Sequence, residues 1–373
     1  MKNLKVALVH DWLTGQRGGE KVLEVLCEIF PEAPIFTLFH FPGSQREAIE
    51  EKEIFTSFLQ KMPFLRRKYR SYLPLFPLAA ELFDLQDFDM VVSSSHCVAK
   101  GIIPRPDALH VCYIHSPVRY AWNQYFAYFS PQKLGFFSRK IIPFSIHKLR
   151  LWDESSSHRV DHFIANSKTT SQRVQKYYRR QSDVIHPPVD TEFFQPDDQQ
   201  EDYFLIVSAL VPYKKIELAI QTFNKNGKVL KIVGQGPEYR RLKKISKTNI
   251  QFLGSIDENS LRMAYQRAKA LIMPGEEDFG INALEAQACG IPVVSYARGG
   301  ALETVIAGET GVFFHDLSAD SLSEALGKLE SLKFDKKTIR SHAQKYSREK
   351  FKEYIYEFLE KKWNDFTSQP SPQ

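Results

Sequence analysis

Along this chain, short runs that are apolar throughout alternate with longer stretches whose apolar residues recur at helical spacing. Lys5 to Val9 reads as a buried strand, and a glycine-bearing loop leads into a helix from about Glu20 to Phe30. Ile35 to Phe39, Met90 to Ser94, His110 to Ile114 and Phe163 to Asn166 are further strand-like runs. The pattern restarts at Tyr203 to Ser208 and continues through Val229 to Val233, Ile250 to Leu253, Ala270 to Met273, Val293 to Tyr296 and Val312 to Phe314. Strands without polar alternation are buried on both faces, and helices between them supply the crossovers of a parallel sheet. The class is therefore α/β. Pro187-Pro188 and the acidic, glutamine-rich stretch Gln195 to Asp202 interrupt the pattern, so 187–202 reads as a linker between a first domain, 1–186, and a second, 203–346. A last helix over 347–366 carries Phe351, Ile355, Phe358, Leu359 and Trp363 near helical spacing, and 367–373 reads as a disordered tail.

A length of 373 residues exceeds what one core usually serves, which agrees with two domains. Cys27, Cys97, Cys112 and Cys289 form no C-x-x-C pair, which argues against a disulfide framework or structural zinc and for a reducing compartment. The N-terminal apolar run is too short for a signal peptide, and no stretch of the chain reads as membrane-spanning, so a cytoplasmic location is expected. The net charge of +6 is unevenly spread. Residues 60–75 hold Lys61, Arg66, Arg67, Lys68 and Arg70 and no acid, with Phe64, Leu65, Tyr69, Tyr72 and Leu73 between them. Residues 133–150 mix Lys133, Arg139, Lys140, Lys148 and Arg150 with Phe136, Phe137, Ile141, Ile142 and Phe144. Basic side chains interleaved with large apolar ones fit peripheral docking on an anionic bilayer. Nucleic acid would need the same sign of charge, but no recognition motif accompanies it.

The densest chemistry lies between Pro274 and Val294. The strand Ala270 to Met273 runs into a loop holding Glu276, Glu277 and Asp278; Gly280 turns the chain, and a helix opens with Asn282, Ala283, Leu284 and Glu285. Glu277 and Glu285 thus bracket a helix N-terminus, whose N–H groups and dipole favour an anion. Carboxylates beside a phosphate make sense if they serve its neutral attachments, such as sugar hydroxyls. The stretch therefore describes a site for a sugar joined to a nucleoside through a diphosphate. Ligands of open parallel sheets bind outside the carboxyl ends of strands. That rule selects His10, Asp11, Gly15, Gly18 and Gly19 after the first strand, and His115 after another, where it could hydrogen-bond a sugar or assist proton transfer. Lys214 follows Tyr203 to Ser208, where an ammonium can neutralise a departing diphosphate. Asp87-Phe88-Asp89 is a D-x-D placed before a strand, at the wrong end for the ligand crevice, and reads as a turn. No metal site is expected.

The 274–294 stretch, together with Ala209-Leu210-Val211-Pro212-Tyr213-Lys214-Lys215, Gly299-Gly300-Ala301-Leu302-Glu303-Thr304-Val305, Gly18-Gly19-Glu20 and Tyr113-Ile114-His115-Ser116-Pro117-Val118-Arg119-Tyr120, resembles retaining glycosyltransferases of the GT-B architecture. Within these the chain is similar, over nearly its full length, to bacterial mannosyltransferases of O-antigen and polysaccharide assembly. The resemblance implies two Rossmann-like domains facing each other across a cleft, the first for the acceptor and the second for the nucleotide sugar, with the C-terminal helix crossing back to the first domain. It implies that Glu277 holds hydroxyls of the transferred hexose and Glu285 the ribose. Phe279, Gly280, Ile281 and Asn282 would meet sugar and phosphates. Gly18, Gly19, Gly234, Gly236 and Lys215 would line the donor, and His115 and Lys214 would act beside Glu277. Where the family often carries an arginine this chain has Ala209, which leaves the cationic task to Lys214 with Lys215. The implied reaction moves a hexose, mannose from GDP-mannose, onto a lipid-linked glycan acceptor without a metal or other cofactor, at the inner face of the cytoplasmic membrane. A nucleotide-sugar epimerase and a non-catalytic nucleotide-sugar-binding scaffold are the alternative readings.

Overall fold

The structure, a computed structural model, describes residues 4–129 and 135–368, except for the side chains of 136–138. Lys133, the side chains of Phe136 and Phe137, and residues 369–373 of the expected tail lie outside that description.

The chain divides into two compact units, Met1–Pro188 with Glu349–Gln373, and Val189–Arg348. In unit 1, β1 (Val6–His10), β2 (Ile35–Thr37), β3 (Ile54–Thr56), β4 (Met90–Ser95), β5 (Leu109–Ile114), β6 (His162–Ala165) and β7 (Ser182–Val184) form one sheet in the order β3-β2-β1-β4-β5-β6-β7. Every pairing in it is parallel. In unit 2, β8 (Phe204–Val207), β9 (Leu230–Val233), β10 (Ile250–Gly254), β11 (Ala270–Met273), β12 (Val293–Tyr296) and β13 (Gly311–Phe314) form a second parallel sheet, β10-β9-β8-β11-β12-β13. Both are doubly wound. The chain lays strands outward in one direction, then returns to the middle and goes the other way. The reversal falls between β1 and β4 in unit 1 and between β8 and β11 in unit 2.

The central strands are as apolar as expected and fully buried: β1, β4, β5 and β11 hold no exposed residue. The edge strands β3 (Ile-Phe-Thr) and β7 (Ser-Asp-Val) are three residues long and partly exposed, too short to stand out in the pattern, and are additions to the expected strands. Five helices matter below: α1 (Gly18–Ile29), α2 (Phe136–Ser156), α3 (Ile216–Asn226), α4 (Ile281–Ala288) and α5 (Arg348–Thr367). α5 places Phe351, Ile355 and Leu359 in the same buried cluster as Val6 and Leu8 of β1 and Val111 and Tyr113 of β5, so it belongs to unit 1. The division between units falls between Pro188 and Val189. The stretch expected as a linker is therefore mostly part of unit 2, where Val189 and Phe194 are buried with Tyr203 and Tyr265. Among the described residues no helix is long and apolar enough to cross a membrane. The four cysteines are free and buried, and burial pushes the Cys27 and Cys112 thiols up to about 12, so they behave as small apolar residues.

Candidate functional site

Reversal points of doubly wound sheets leave a crevice at the carboxyl ends of the two central strands, because the helices that follow them go to opposite faces. Each unit of this protein has one, and each gathers polar residues.

In unit 2 the crevice lies beyond β8 and β11. Pro212–Lys214, a single 3-10 turn after β8, brings Lys214 into it, and the loop after β11 brings Glu277. Lys214 Nζ donates a hydrogen bond to Glu277 Oε2 in a direct ion pair, with side chains only 15% and 18% exposed. These two residues were each assigned to the site from sequence; the structure joins them. Lys214 Nζ also lies 5.3 Å from the centre of the Tyr213 ring. Lys215, beside it, is exposed and holds a left-handed φ of 54° at the start of α3, so its side chain does not share this environment. The pair leaves a cation and a carboxylate side by side, a polar couple suited to a phosphate oxygen on one side and a hydroxyl on the other.

Gly280 opens α4 from a φ of +90°, a left-handed conformation that a side chain would strain. Asn282 then fastens the helix start to the end of β8, its Nδ2 donating to the Val207 carbonyl at 2.6 Å. The first turn of α4 is thus held at the reversal point with its dipole's positive end there. Phe279 is buried in the core beside Ala283 and Leu284, so only its backbone faces outward tasks. Glu285 lies further along the helix. It is 2% exposed and accepts a hydrogen bond from the Tyr265 hydroxyl at 2.9 Å. That bond, from a tyrosine on another helix, fixes one oxygen of the Glu285 carboxylate in the fifth position of α4.

Gly234 and Gly236 also have an internal reason. A Cβ at Gly234 would come within 2.0 Å of the Ser208 carbonyl oxygen, and one at Gly236 within 2.3 Å of that of Leu210. These glycines let the turn after β9 lie against the backbone after β8, and so support the segment that carries Lys214.

The unit 1 crevice lies beyond β1 and β4. Asp11, fully buried, accepts hydrogen bonds from four successive backbone N–H groups, His96, Cys97, Val98 and Ala99, at 2.6–2.9 Å, and pairs with His96 Nδ1 at 3.0 Å. Burial alone would raise its pKa, but the His96 ring and these N–H groups hold it well below the carboxylate range. The same partnership outweighs burial at His96 and raises its pKa. Asp11 is therefore the pin of the loop after β4. Glu20, in the first turn of α1, is buried and raised by burial, and accepts from the Arg17 N–H at 3.1 Å. Gly18 and Gly19 begin α1, and the Gly19 backbone faces two rings: a Cβ there would lie 3.4 Å from His10 Cε1 and 3.5 Å from His115 Nε2. Residues not singled out from sequence complete the cluster, Ser94 and His96, which lie on or just after β4. Their signal was positional only, since a serine and a histidine at a strand end look like ordinary polar residues until the strand order is known.

Asp87-Phe88-Asp89 precedes β4, and Asp89 is occupied: it accepts from the Lys5 N–H at 3.0 Å and from Arg105 at 2.6 Å. Among the described residues no group of three or more His, Cys, Asp or Glu side chains is arranged to hold a metal ion.

Comparison with known proteins covers both units. Residues 17–193 match the family model described as Glycosyltransferase Family 4, and residues 189–357 match that of Glycosyl transferases group 1. Among curated proteins the chain is 31% identical over 175 residues to a GDP-mannose-dependent alpha-(1-6)-phosphatidylinositol monomannoside mannosyltransferase of Mycolicibacterium smegmatis, covering 39% of this chain and 46% of that protein. It is 24% identical over 193 residues to an uncharacterized glycosyltransferase of Methanocaldococcus jannaschii, covering 50% of this chain and 55% of that one. The chain thus spans about half the length of the curated relatives it matches. Among solved structures it superposes on the sucrose-phosphate synthase of Thermosynechococcus elongatus with a TM-score of 0.75 at 17% identity, covering 97% of this chain and all of that one. A glycosyltransferase involved in lipopolysaccharide biosynthesis superposes with a TM-score of 0.62 at 16% identity, covering 98% of this chain and all of that one. At such identities these two likenesses establish the GT-B fold.

Proposed function

From a chain that carries a Glycosyltransferase Family 4 domain followed by a group 1 glycosyltransferase domain, we propose a retaining glycosyltransferase that moves a hexose, mannose from GDP-mannose, onto a lipid-linked glycan acceptor. The observation that carries the proposal is the Lys214–Glu277 pair at the unit 2 reversal point, beside the helix start at Gly280. Lys214 and the α4 N-terminus offset charge gathering on the leaving diphosphate, and Glu277 orients sugar hydroxyls. Glu277 is engaged with a cation, which suits an orienting role better than that of a nucleophile. The acceptor oxygen then bonds to the anomeric carbon on the face the diphosphate leaves, and the departing phosphate oxygen takes the acceptor's proton. Mannose is favoured by the motifs flanking the glutamate pair and by the match to a GDP-mannose-dependent relative.

The test is transfer from a panel of nucleotide sugars to lipid-linked acceptors, with each donor also incubated alone. Transfer from GDP-mannose with retained configuration supports the reading. Conversion of the donor without acceptor would make the protein an epimerase. Activity is expected to survive excess chelator, because Glu277 is committed to Lys214 and fixed positive charge replaces an ion. Complete loss with chelator and full rescue by magnesium would overturn that part.

Unit 1 supplies the membrane-facing half of the proposal. Phe64 is 74% exposed at a left-handed φ of 55°, and Arg66, Arg67, Lys68 and Arg70 around it are exposed or nearly so. On α2, Ile141 and Phe144 are exposed, with Lys148 Nζ 4.6 Å from the Phe144 ring centre. Arg150 in the same stretch turns inward to the Ala121 carbonyl and the Tyr125 ring, so it is not part of that surface. Binding to anionic vesicles is expected to fall steeply with salt and to weaken by ~1 kcal/mol for each of Arg66, Arg67, Lys68 and Arg70 neutralised. Salt-independent binding in a vesicle sedimentation assay would remove the membrane from the proposal.

A further inference from the structure

Ser94 stands between two imidazoles in unit 1. Its Oγ is 3.2 Å from His10 Nδ1 and 2.9 Å from His115 Nε2. A hydroxyl has one proton, so it donates to one ring and accepts from the other. Two arrangements are possible. If Ser94 donates to His10, then His10 carries its proton on Nε2. That nitrogen is buried and has no hydrogen-bond partner among the described residues, so an N–H donor would be stranded. If instead His10 donates from Nδ1, what is left at Nε2 is a lone pair, and Ser94 donates onward to His115 Nε2. A buried N–H without an acceptor is the rarer and costlier outcome.

A further observation agrees. Burial together with the nearby His96 holds His10 down at about 4, so its ring is neutral and has one proton to place.

We infer that Ser94 and His10 are positioning residues that fix His115 as its Nδ1–H tautomer, with Nε2 occupied as the acceptor of the Ser94 hydroxyl. With that tautomer His115 can offer a hydrogen-bond donor only through Nδ1. It does not serve as a proton acceptor through Nε2. The class of partner it fits is an oxygen acceptor, a sugar hydroxyl or phosphate oxygen. This last step rests on the proposed transferase reading; the tautomer does not.

The experiment is long-range proton–nitrogen NMR on the full chain with labelled histidine, assigning the two rings with His10→Gln and His115→Gln. Both rings are expected in the Nδ1–H form. Ser94→Ala should release His115 toward the Nε2–H form or an average, and Ser94→Thr, which keeps the hydroxyl, should hold it. In transfer assays Ser94→Ala should lower kcat roughly tenfold, the weight of about one hydrogen bond, with a smaller change in donor KM. His115 in the Nε2–H form in the unmodified protein would overturn the inference, whether or not the variants fold. So would an unchanged tautomer in folded Ser94→Ala. If the unmodified protein transfers no sugar while both rings show Nδ1–H, the transferase reading fails and the relay stands.

Discussion

Replacing Glu277 with alanine is expected to lower turnover by about 100-fold or more, a loss of ~3 kcal/mol of transition-state stabilisation. The carboxylate is held by Lys214, follows β11 at the reversal point and precedes the Gly280 turn, and of the three acids in its loop it is the one paired with Lys214. Lys214→Ala is expected to weaken the donor and slow departure of the diphosphate, and to do so more than Lys215→Ala, whose exposed side chain lies outside the pair. Because the two charges touch, their effects should not add: the double variant should lose less than the sum of the single losses. Steady-state kinetics on variants with normal melting profiles decide this. Near-normal turnover in folded Glu277→Ala would remove Glu277 from the mechanism, and equal small effects at 214 and 215 would remove Lys214.

The second large effect concerns stability. Lys100 is buried in unit 1, with Nζ 3.1 Å from Asp153 Oδ1, and it donates to the Asp153 carbonyl at 2.6 Å and to Ser156 Oγ at 2.7 Å. Asp153, fully buried, also accepts from Trp122 at 2.7 Å and from the Tyr178 hydroxyl at 2.8 Å. Removing one partner of such a pair leaves the other charge buried and uncompensated, at a cost of about 3–5 kcal/mol. Lys100→Ala and Asp153→Ala should each destabilise unit 1 by that order, and Lys100→Met with Asp153→Leu together by less than the two singles combined. Trp12, Trp122, Trp152 and Trp363 make up all the tryptophan of the chain and all belong to unit 1, so denaturation followed by their fluorescence reads this unit alone. Unchanged midpoints in both alanine variants would show that water or rearrangement compensates the stranded charge.

Those two predictions differ in how far the sequence announced them. The central strands were legible because apolar residues fill both of their faces, which only a buried parallel sheet requires. Glu277 and Lys214 were legible because strand ends locate ligands, although their contact, 63 residues apart, was not. Lys100 and Asp153 are not singled out by the sequence. Nothing local distinguishes a lysine that ends in a cage of Trp152, Tyr178 and Ser156 from one in water. The Tyr265 partner of Glu285 was hidden for the same reason: it comes from another helix, 20 residues away in the chain. The edge strands β3 and β7 escaped because each is only three residues long, too short for its pattern to stand out, and β3 has the same Ile-Phe-Thr sequence as the buried β2.

The return of α5 to unit 1 has a consequence for how the protein is made. Phe351, Ile355 and Leu359 complete a core whose other members, from Val6 to Ile185, leave the ribosome before any of unit 2. Synthesis of Val189–Arg348 separates the two contributions by on the order of ten seconds or more at ordinary elongation rates. Throughout that interval the apolar surface that α5 covers is open, while unit 2, contiguous in the chain, can close as soon as it emerges. The half made first is therefore the half finished last, and for that interval it is the newborn chain's natural client surface for a chaperone.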